Sequence, residues 1–237
     1  MLKNFTSPTR KLLLAIVLIT GSSGLVSAQD ENQTYKQFDH ILGETNLKIY
    51  SGLFFKDDDL LLETDRYLFS DYKHAEVIYN NSVFYGYPIK YDLYNDFIIV
   101  KPKNTGSNIA IQLVSSNIES VNLEGIHLKN LTGKTTHKDI VGFYDTIELI
   151  DNVSFLVKYY KTKNEYIKGS DVYQDYKLHY KFYLIKDGNE NLYDATKKEN
   201  WTTLLPTKEA HILNAFGTSK TTDDLATLKE LATSIIE

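Results

Sequence analysis

The chain has 237 residues, a formal net charge of −5 and no cysteine. Without cysteine it can form neither a disulfide nor a thiolate zinc site, so its stability must come from an ordinary hydrophobic core. Eighteen tyrosines and eleven phenylalanines stand against four prolines. This composition is typical of aromatic-rich β-structure rather than of a disordered chain.

Residues 1–28 carry the features of a secretory signal peptide in the usual order. A basic start is followed by a short apolar segment and by the small-x-small cleavage site Val26-Ser27-Ala28. The strongly apolar run from 12 to 20 is far shorter than the roughly 20 residues that a membrane span requires. We therefore predict cleavage after Ala28, an exported protein in the periplasm or at the cell surface, and no transmembrane segment after cleavage.

Cleavage would remove three basic residues and no acidic one, which leaves 209 residues with a net charge of −8. Phosphate binding requires clustered lysine and arginine, so an acidic chain excludes nucleic acid as the expected partner. A chain of this length is sufficient for one large domain, or for a domain with an appendage.

Residues 29–45 are polar and predict a lead-in without regular structure. Residues 47–55 (LKIYSGLFF) predict a first strand, followed by the acidic segment KDDDLLLETD. Further along, two β-rich runs flank Asn80-Asn81. Asparagine tolerates the positive φ angles of a tight hairpin turn, so this stretch predicts strand, turn and strand.

From residue 87 onward the pattern alternates and predicts a strand with two distinct faces. One face carries Tyr87, Ile89, Tyr91 and Leu93, and the other carries Pro88, Lys90, Asp92 and Tyr94. Later hairpins are predicted with turns at Asp151-Asn152 and Asp187-Gly188. At least eight such strands predict a mainly β domain over residues 46–195, an antiparallel meander that forms a sandwich, barrel or curved sheet.

Residues 196–237 change character and predict two or three C-terminal α-helices packed on the sheet. Thr196 with Glu199 resembles a capping box, Thr221 with Asp224 resembles another N-cap, and Gly217 suits a helix C-cap. One helix is predicted to bury an apolar stripe on the sheet. The stripe consists of Leu225, Leu228, Leu231, Ala232 and Ile235.

Three stretches together resemble a family of uncharacterised exported β-rich proteins from Bacteroidetes-type bacteria. They are VIYNNSVFYGYPIKYDLYNDFIIV, GFYDTIELIDNVSFLVKYYK and YKFYLIKDGNENLYDATKKENWTTLLPTKEAHILNAF. The segment DRYLF stands where the family often shows a His-Pro-aromatic motif. Because the family has no known activity, the resemblance implies export and fold alone.

Asp92 and Asp96 form the clearest candidate for a catalytic carboxylate pair. A glycosidase needs two such carboxyls on either side of a sugar, one with a raised pKa. The alternating pattern instead points Asp92 outward, and Asp96 falls in a turn where its side chain can bond backbone N–H groups. We therefore interpret the pair as the corner of a hairpin.

Other chemical motifs are missing from the sequence. The aspartates 57–59, with Glu63 and Asp65, lack the alternation and the glycine of a calcium loop, and predict a solvated acidic loop. The six histidines are scattered, and no HExxH, G-x-S-x-G or phosphate-loop motif occurs. The sequence therefore predicts no catalytic residue, no metal and no cofactor, and favours a protein that is not an enzyme.

Tyrosines are the remaining candidates for function, because a tyrosine ring offers both an apolar face and a hydroxyl. We predict Tyr85 and Tyr94 as binding residues of an exported, non-enzymatic protein whose partner is an envelope protein or a glycan. The alternatives are a carbohydrate-binding module with tyrosine platforms, a periplasmic carrier of an apolar ligand, and a hydrolase whose residues converge only in space. An open aromatic row, a large apolar cavity, or a recessed cluster of carboxylates and histidines would distinguish them.

Overall fold

A computed structural model describes residues 47–56, 61–62 (backbone), 64–103, 109–135, 137–188 and 191–236. The predicted signal peptide, the lead-in over 29–45 and most of the acidic cluster lie outside these residues. None of the helices in the described part of the chain has the length and apolar character of a membrane span.

Twelve strands of the described residues form one sheet. They are β1 (Leu53–Phe55), β2 (Leu61–Leu62), β3 (Lys73–Tyr79), β4 (Ser82–Asp92), β5 (Phe97–Val100), β6 (Ala110–Gln112), β7 (Ile118–Leu123), β8 (Ile126–Asn130), β9 (Phe143–Glu148), β10 (Val153–Lys168), β11 (Asp171–Lys186) and β12 (Tyr193–Asp194). The spatial order is β1-β6-β5-β4-β3-β7-β8-β9-β10-β11-β12, and β2 pairs with β11 outside this path. Every pairing along the path is antiparallel, and only β2 lies parallel to its neighbour. The predicted mainly β, antiparallel fold is confirmed.

Two of the predicted hairpin turns have the positive φ angles that their residues tolerate. Asn80 and Asn81 have φ angles of 50° and 57°, and Asp151 and Asn152 have 57° and 58°. Two consecutive positive φ angles define the turn whose twist matches that of paired strands. The predicted first strand is only partly right, because residues 48–50 form a 3-10 turn before β1 begins.

Three α-helices follow the sheet, as predicted: α1 (Lys198–Leu204), α2 (Glu209–Phe216) and α3 (Leu225–Ile236). Gly217 ends α2 with a φ of 54°, and its amide donates to the carbonyl of Leu213 at 2.8 Å. Leu228, Leu231, Ala232 and Ile235 of the predicted stripe are fully buried.

The predicted N-caps differ from those in the structure. The Thr196 hydroxyl donates to Asp194 Oδ1 at 2.7 Å and does not cap α1. Asp224, not Thr221, caps α3, because its Oδ2 accepts the amide of Thr227 at 2.8 Å. At α3 a carboxylate, which accepts hydrogen bonds more strongly than a hydroxyl, takes the role that the pattern assigned to threonine, whereas α1 has no side-chain cap.

The sheet is strongly curved, and the end of β4 meets β10, although four strands separate them in the sheet. The amide of Lys161 donates to the carbonyl of Leu93 at 3.2 Å. The concave face and the three helices share one core, with Trp201 fully buried at its centre. The Trp201 ring packs 5.4 Å from that of Phe155, and its Nε1 donates to the carbonyl of Ala195 at 2.7 Å.

Beyond Lys161 the β10–β11 hairpin extends the sheet, with β2 paired to it at Tyr173 and Gln174. We call residues 162–177 the arm. Pairing continues without a bulge to its last pair, Lys168 and Asp171. Ile167 is 76% exposed and Val172 53% exposed, so the apolar residues at the tip of the arm are not part of the core.

Candidate functional site

Tyr85 and Tyr94, the two predicted binding residues, lie at opposite ends of β4. Tyr85 is half-buried near the start of this strand, where its carbonyl accepts a hydrogen bond from Lys103 Nζ at 2.8 Å. Tyr94 follows the end of the strand and is 43% exposed. The structure therefore separates the pair, and Tyr94 packs against the buried Tyr176 of β11.

Tyr94 belongs to a group that we call the tyrosine row: Tyr94, Tyr176, Leu178 and Tyr180. The last three alternate along β11 and so share one of its faces. The Tyr94 ring stands edge-on to that of Tyr176, with 5.4 Å between centroids. Leu178 is 38% exposed and Tyr180 37% exposed, whereas Tyr176 is buried beneath Tyr94. The row is thus an accessible apolar and aromatic surface with a buried support.

Polar side chains of the arm hold this surface in place. The Tyr176 hydroxyl donates to Gln174 Oε1 at 3.0 Å, and Gln174 Nε2 donates to Glu165 Oε1 at 2.8 Å. Lys163 forms an ion pair with the same Glu165 oxygen at 2.9 Å, and its ammonium lies 5.8 Å from the centroid of Tyr94. The hydrogen bond and charge of Lys163 hold the pKa of Glu165 below its usual value. Charged and hydrogen-bonding groups therefore border the tyrosine row.

Asp92 lies on the face opposite Tyr91, as predicted, but this face is covered here and Asp92 is fully buried. Its Oδ2 lies 2.7 Å from Arg66 Nε, and its Oδ1 accepts the amides of Tyr94 and Asn95 at 3.0 and 2.9 Å. The chain around Arg66 pairs with the edge of β4 here through an isolated bridge between Tyr67 and Asp92. The Tyr67 ring covers the outer face of the strand, where its centroid lies 4.3 Å from Lys90 Nζ. Asp92, not Asp96, therefore bonds the backbone N–H groups of the turn.

Asp96 has a different role from the predicted one. It occupies the turn with a φ of 58°, but its carboxylate reaches across to β10. Its Oδ1 accepts the Tyr91 hydroxyl at 2.5 Å and lies 2.7 Å from Lys158 Nζ. Gly142 lies so close that a Cβ built there would be 1.7 Å from Asp96 Oδ2. This closely packed cluster joins the β4–β5 turn to β10.

Titration in this cluster is dominated by burial. Burial raises the pKa of Tyr91 well above its ordinary value, and the neighbouring Asp96 raises it further. Burial also raises the pKa of Tyr144 to about 12. The pKa of Lys158 is lowered by burial, although Asp96 opposes that shift. At neutral pH this leaves two neutral tyrosines beside a lysine paired with a carboxylate, an arrangement that stabilises the fold.

A second buried carboxylate, Asp145, links the sheet to α3. Lys229 Nζ of α3 lies 2.6 Å from Asp145 Oδ2, and the Tyr159 hydroxyl donates to the same oxygen at 3.2 Å. The His127 amide donates to Asp145 Oδ1 at 3.0 Å. Burial raises the pKa of Tyr159, and the charge of Asp145 adds to this. The sequence offered little sign of this network, because its members lie far apart along the chain.

Among the described residues, neither the cavities nor the side chains that could bind a metal give a stronger candidate site than the tyrosine row. A cavity of about 530 Å³ beside α1 and α2 is lined mainly by lysine, glutamate and threonine, with Leu213 among them. A second, of about 300 Å³, lies between α2 and α3. Among the residues that the structure describes, no three histidine or carboxylate side chains are placed to hold a metal ion.

Tyr176, Leu178 and Tyr180 alternate in the sequence and share one face of β11, but the exposure of Leu178 and Tyr180 is what sequence reasoning missed. The same alternation continues into Phe182 and Leu184, which are buried. Tyr94 was predicted from its position opposite the apolar face of β4, but its contact with Tyr176 arises only when the sheet curves. Comparison with protein-family models, curated proteins and solved structures finds no match for this chain.

Proposed function

We propose that this chain is an exported, non-enzymatic binding protein that recognises a protein of the cell envelope through the tyrosine row. The observation that carries the proposal is the exposure of Tyr94, Leu178 and Tyr180 on one surface over the buried Tyr176. Rigid tyrosine rings beside an aliphatic side chain, bordered by charged groups, are typical of the centre of a protein interface. The pattern of residues 1–28 supports export.

A carbohydrate partner is the second candidate, because the rings of Tyr94 and Tyr180 are exposed and Lys163 and Glu165 supply hydrogen-bonding groups nearby. Sugars pack on such rings through their apolar faces. The carrier and hydrolase alternatives have weaker support. The cavity beside α1 and α2 is lined by charged residues and threonines with Leu213 as its one aliphatic side chain, and the cavity between α2 and α3 has a mainly polar lining. The carboxylates Asp92, Asp96 and Asp145 are held by partners within the fold.

The test is to capture envelope proteins with the purified protein and identify what binds by mass spectrometry. We expect Tyr94→Ala and Tyr180→Ala each to reduce recovery of the same partner at least tenfold. Tyr85→Ala is the matched control, since it removes the same side chain at the other end of β4 and should leave recovery unchanged.

Equal recovery by all three variants would contradict the role of the tyrosine row. Recovery of polysaccharide instead of protein, with the same dependence on Tyr94 and Tyr180, would favour the second candidate. Cell fractionation tests export separately, and retention of the whole chain in the cytoplasm would overturn that part of the proposal.

A further inference from the structure

One side of β11 is covered only in part. β10 pairs with the whole of one side, whereas on the other side β2 pairs only with Tyr173 and Gln174, and β12 only with Tyr183 and Leu184. Between these contacts, no strand in the described part of the chain pairs with residues 177–181. This open edge spans roughly 17 Å, long enough for about five residues of an added strand.

Backbone groups of Leu178 and Tyr180 point outward along this edge. In an antiparallel ladder the N–H and C=O of one residue face the same side, and successive residues alternate. The Tyr176 amide donates outward to Thr64 Oγ1 at 2.7 Å, and the Phe182 carbonyl accepts the outward amide of Ala195 at 3.1 Å. Leu178 and Tyr180 lie an even number of residues from Tyr176 and Phe182, so their N–H and C=O groups point to the same outward side. Together they offer two donors and two acceptors to a strand beside β11.

Side chains along the open edge differ between its two faces. Leu178 and Tyr180 give one face an apolar character, and both are more than a third exposed. On the other face Lys177 and Lys181 are exposed on either side of His179. This basic face stands out on a chain with a net charge of −5. An added strand that places apolar residues on one face and acidic residues on the other would complement both.

We propose that residues 177–181 bind an extended segment of a partner protein by strand addition, and that this segment alternates apolar and acidic residues. The proposal rests on the proposed function and names the chemistry of its partner. Main-chain hydrogen bonds supply affinity in this mode of recognition, and alternate side chains supply specificity. A second copy of this chain fits less well, because antiparallel pairing about His179 would set Lys177 opposite the other copy's Lys181.

The probe is a labelled seven-residue peptide in which valine and glutamate alternate, titrated against the whole protein and followed by fluorescence anisotropy. Two control peptides replace glutamate by lysine or place the valines and glutamates in separate blocks. We expect the alternating acidic peptide to bind at least tenfold more tightly than either control.

Leu178→Pro removes one outward donor and should weaken this binding at least tenfold. Proline is tolerated on an edge where its missing N–H faces solvent, and the β10 ladder does not use this amide. The double variant Lys177→Glu with Lys181→Glu should reverse the preference and bind the lysine peptide more tightly than the glutamate peptide. Circular dichroism is used to check that each variant is folded.

Equal binding of all three peptides, or the same affinity with Leu178→Pro as with the unchanged protein, would overturn strand addition. A dimer seen by light scattering that Leu178→Pro converts to monomer would overturn it in favour of self-pairing. If Leu178→Pro still captures the envelope partner and Tyr94→Ala does not, strand addition fails while the proposed function stands. If neither variant changes capture, both fail.

Discussion

The β10–β11 hairpin passes through two environments, the core beneath the helices and the arm beyond it. In the core, the rings of Phe155 and Phe182 stack 6.4 Å apart and Trp201 covers them. In the arm, Ile167 and Val172 lie opposite each other on the same face of the two strands and are exposed. Burial stabilises an apolar side chain only where a second layer covers the sheet. The same pattern of residues therefore supports the fold in one region and leaves a surface open to partners in the other.

Trp201→Ala should give the largest loss of stability, since it empties the centre of the core. Truncation of a buried aromatic side chain typically costs about 3–5 kcal/mol, and here the hydrogen bond to Ala195 is lost as well. Urea unfolding followed by circular dichroism measures the change. A loss below about 1 kcal/mol would contradict the view that the helices and the sheet share one core.

Asp92→Ala should be nearly as damaging, because it leaves the Arg66 guanidinium without its carboxylate and two turn amides without their acceptor. Breaking a buried ion pair by removing one partner costs about 3 kcal/mol or more. Asp171→Ala, at the exposed end of the arm, is the matched control and should change the free energy of unfolding by less than about 0.5 kcal/mol. Similar values for the two variants would show that Asp92 is exposed to solvent, as the sequence pattern predicted.

Gly142→Ala tests the close approach of the β4–β5 turn to the loop before β9. Its φ of +86° and the contact with Asp96 both disfavour a side chain at position 142. We expect the free energy of unfolding to fall by about 2 kcal/mol. Gly169→Ala is the control, since Gly169 has a φ of +70° and nothing within 4 Å of an added Cβ. The difference between the two variants measures the contact alone, and equal losses would mean that Asp96 lies elsewhere.

Val172→Thr should have the smallest effect, below about 0.5 kcal/mol, because the side chain is 53% exposed and removes little apolar area from water. Val157→Thr makes the same exchange on β10 in the core, where Val157 is fully buried. It should cost about 1–3 kcal/mol because it buries a hydroxyl. Thermal unfolding of both variants provides the comparison, and equal losses would show that the arm is covered.

Hairpin turns and helices could be predicted because each depends on residues close in sequence. Asn80-Asn81 and Asp151-Asn152 tolerate positive φ wherever they occur, and Gly217 ends a helix for the same reason. The role of Asp92 could not be predicted in this way. Alternation placed it correctly on the face opposite Tyr91, but the segment around Arg66 that covers that face comes from an earlier part of the chain.

Part of the candidate site could be predicted from the sequence. Tyr94 could be selected as an outward tyrosine, but nothing near it in sequence distinguished it from Tyr85. Its contact with Tyr176 joins residues 82 positions apart and depends on the curvature that brings the end of β4 to β10. The exposure of part of β11 could not be predicted from the sequence either. Alternation shows which residues share a face, but it does not show where the layer that covers this face ends.

By itself, the sequence determined the secondary structure, the antiparallel arrangement and the apolar faces, since local backbone preference and side-chain periodicity act over a few residues. The tertiary structure decided which of those faces are covered, which carboxylates are buried beside a cation and where an edge of β11 stays open. The physical reason is that burial and charge pairing depend on segments distant along the chain, which meet only once the sheet has curved around its core.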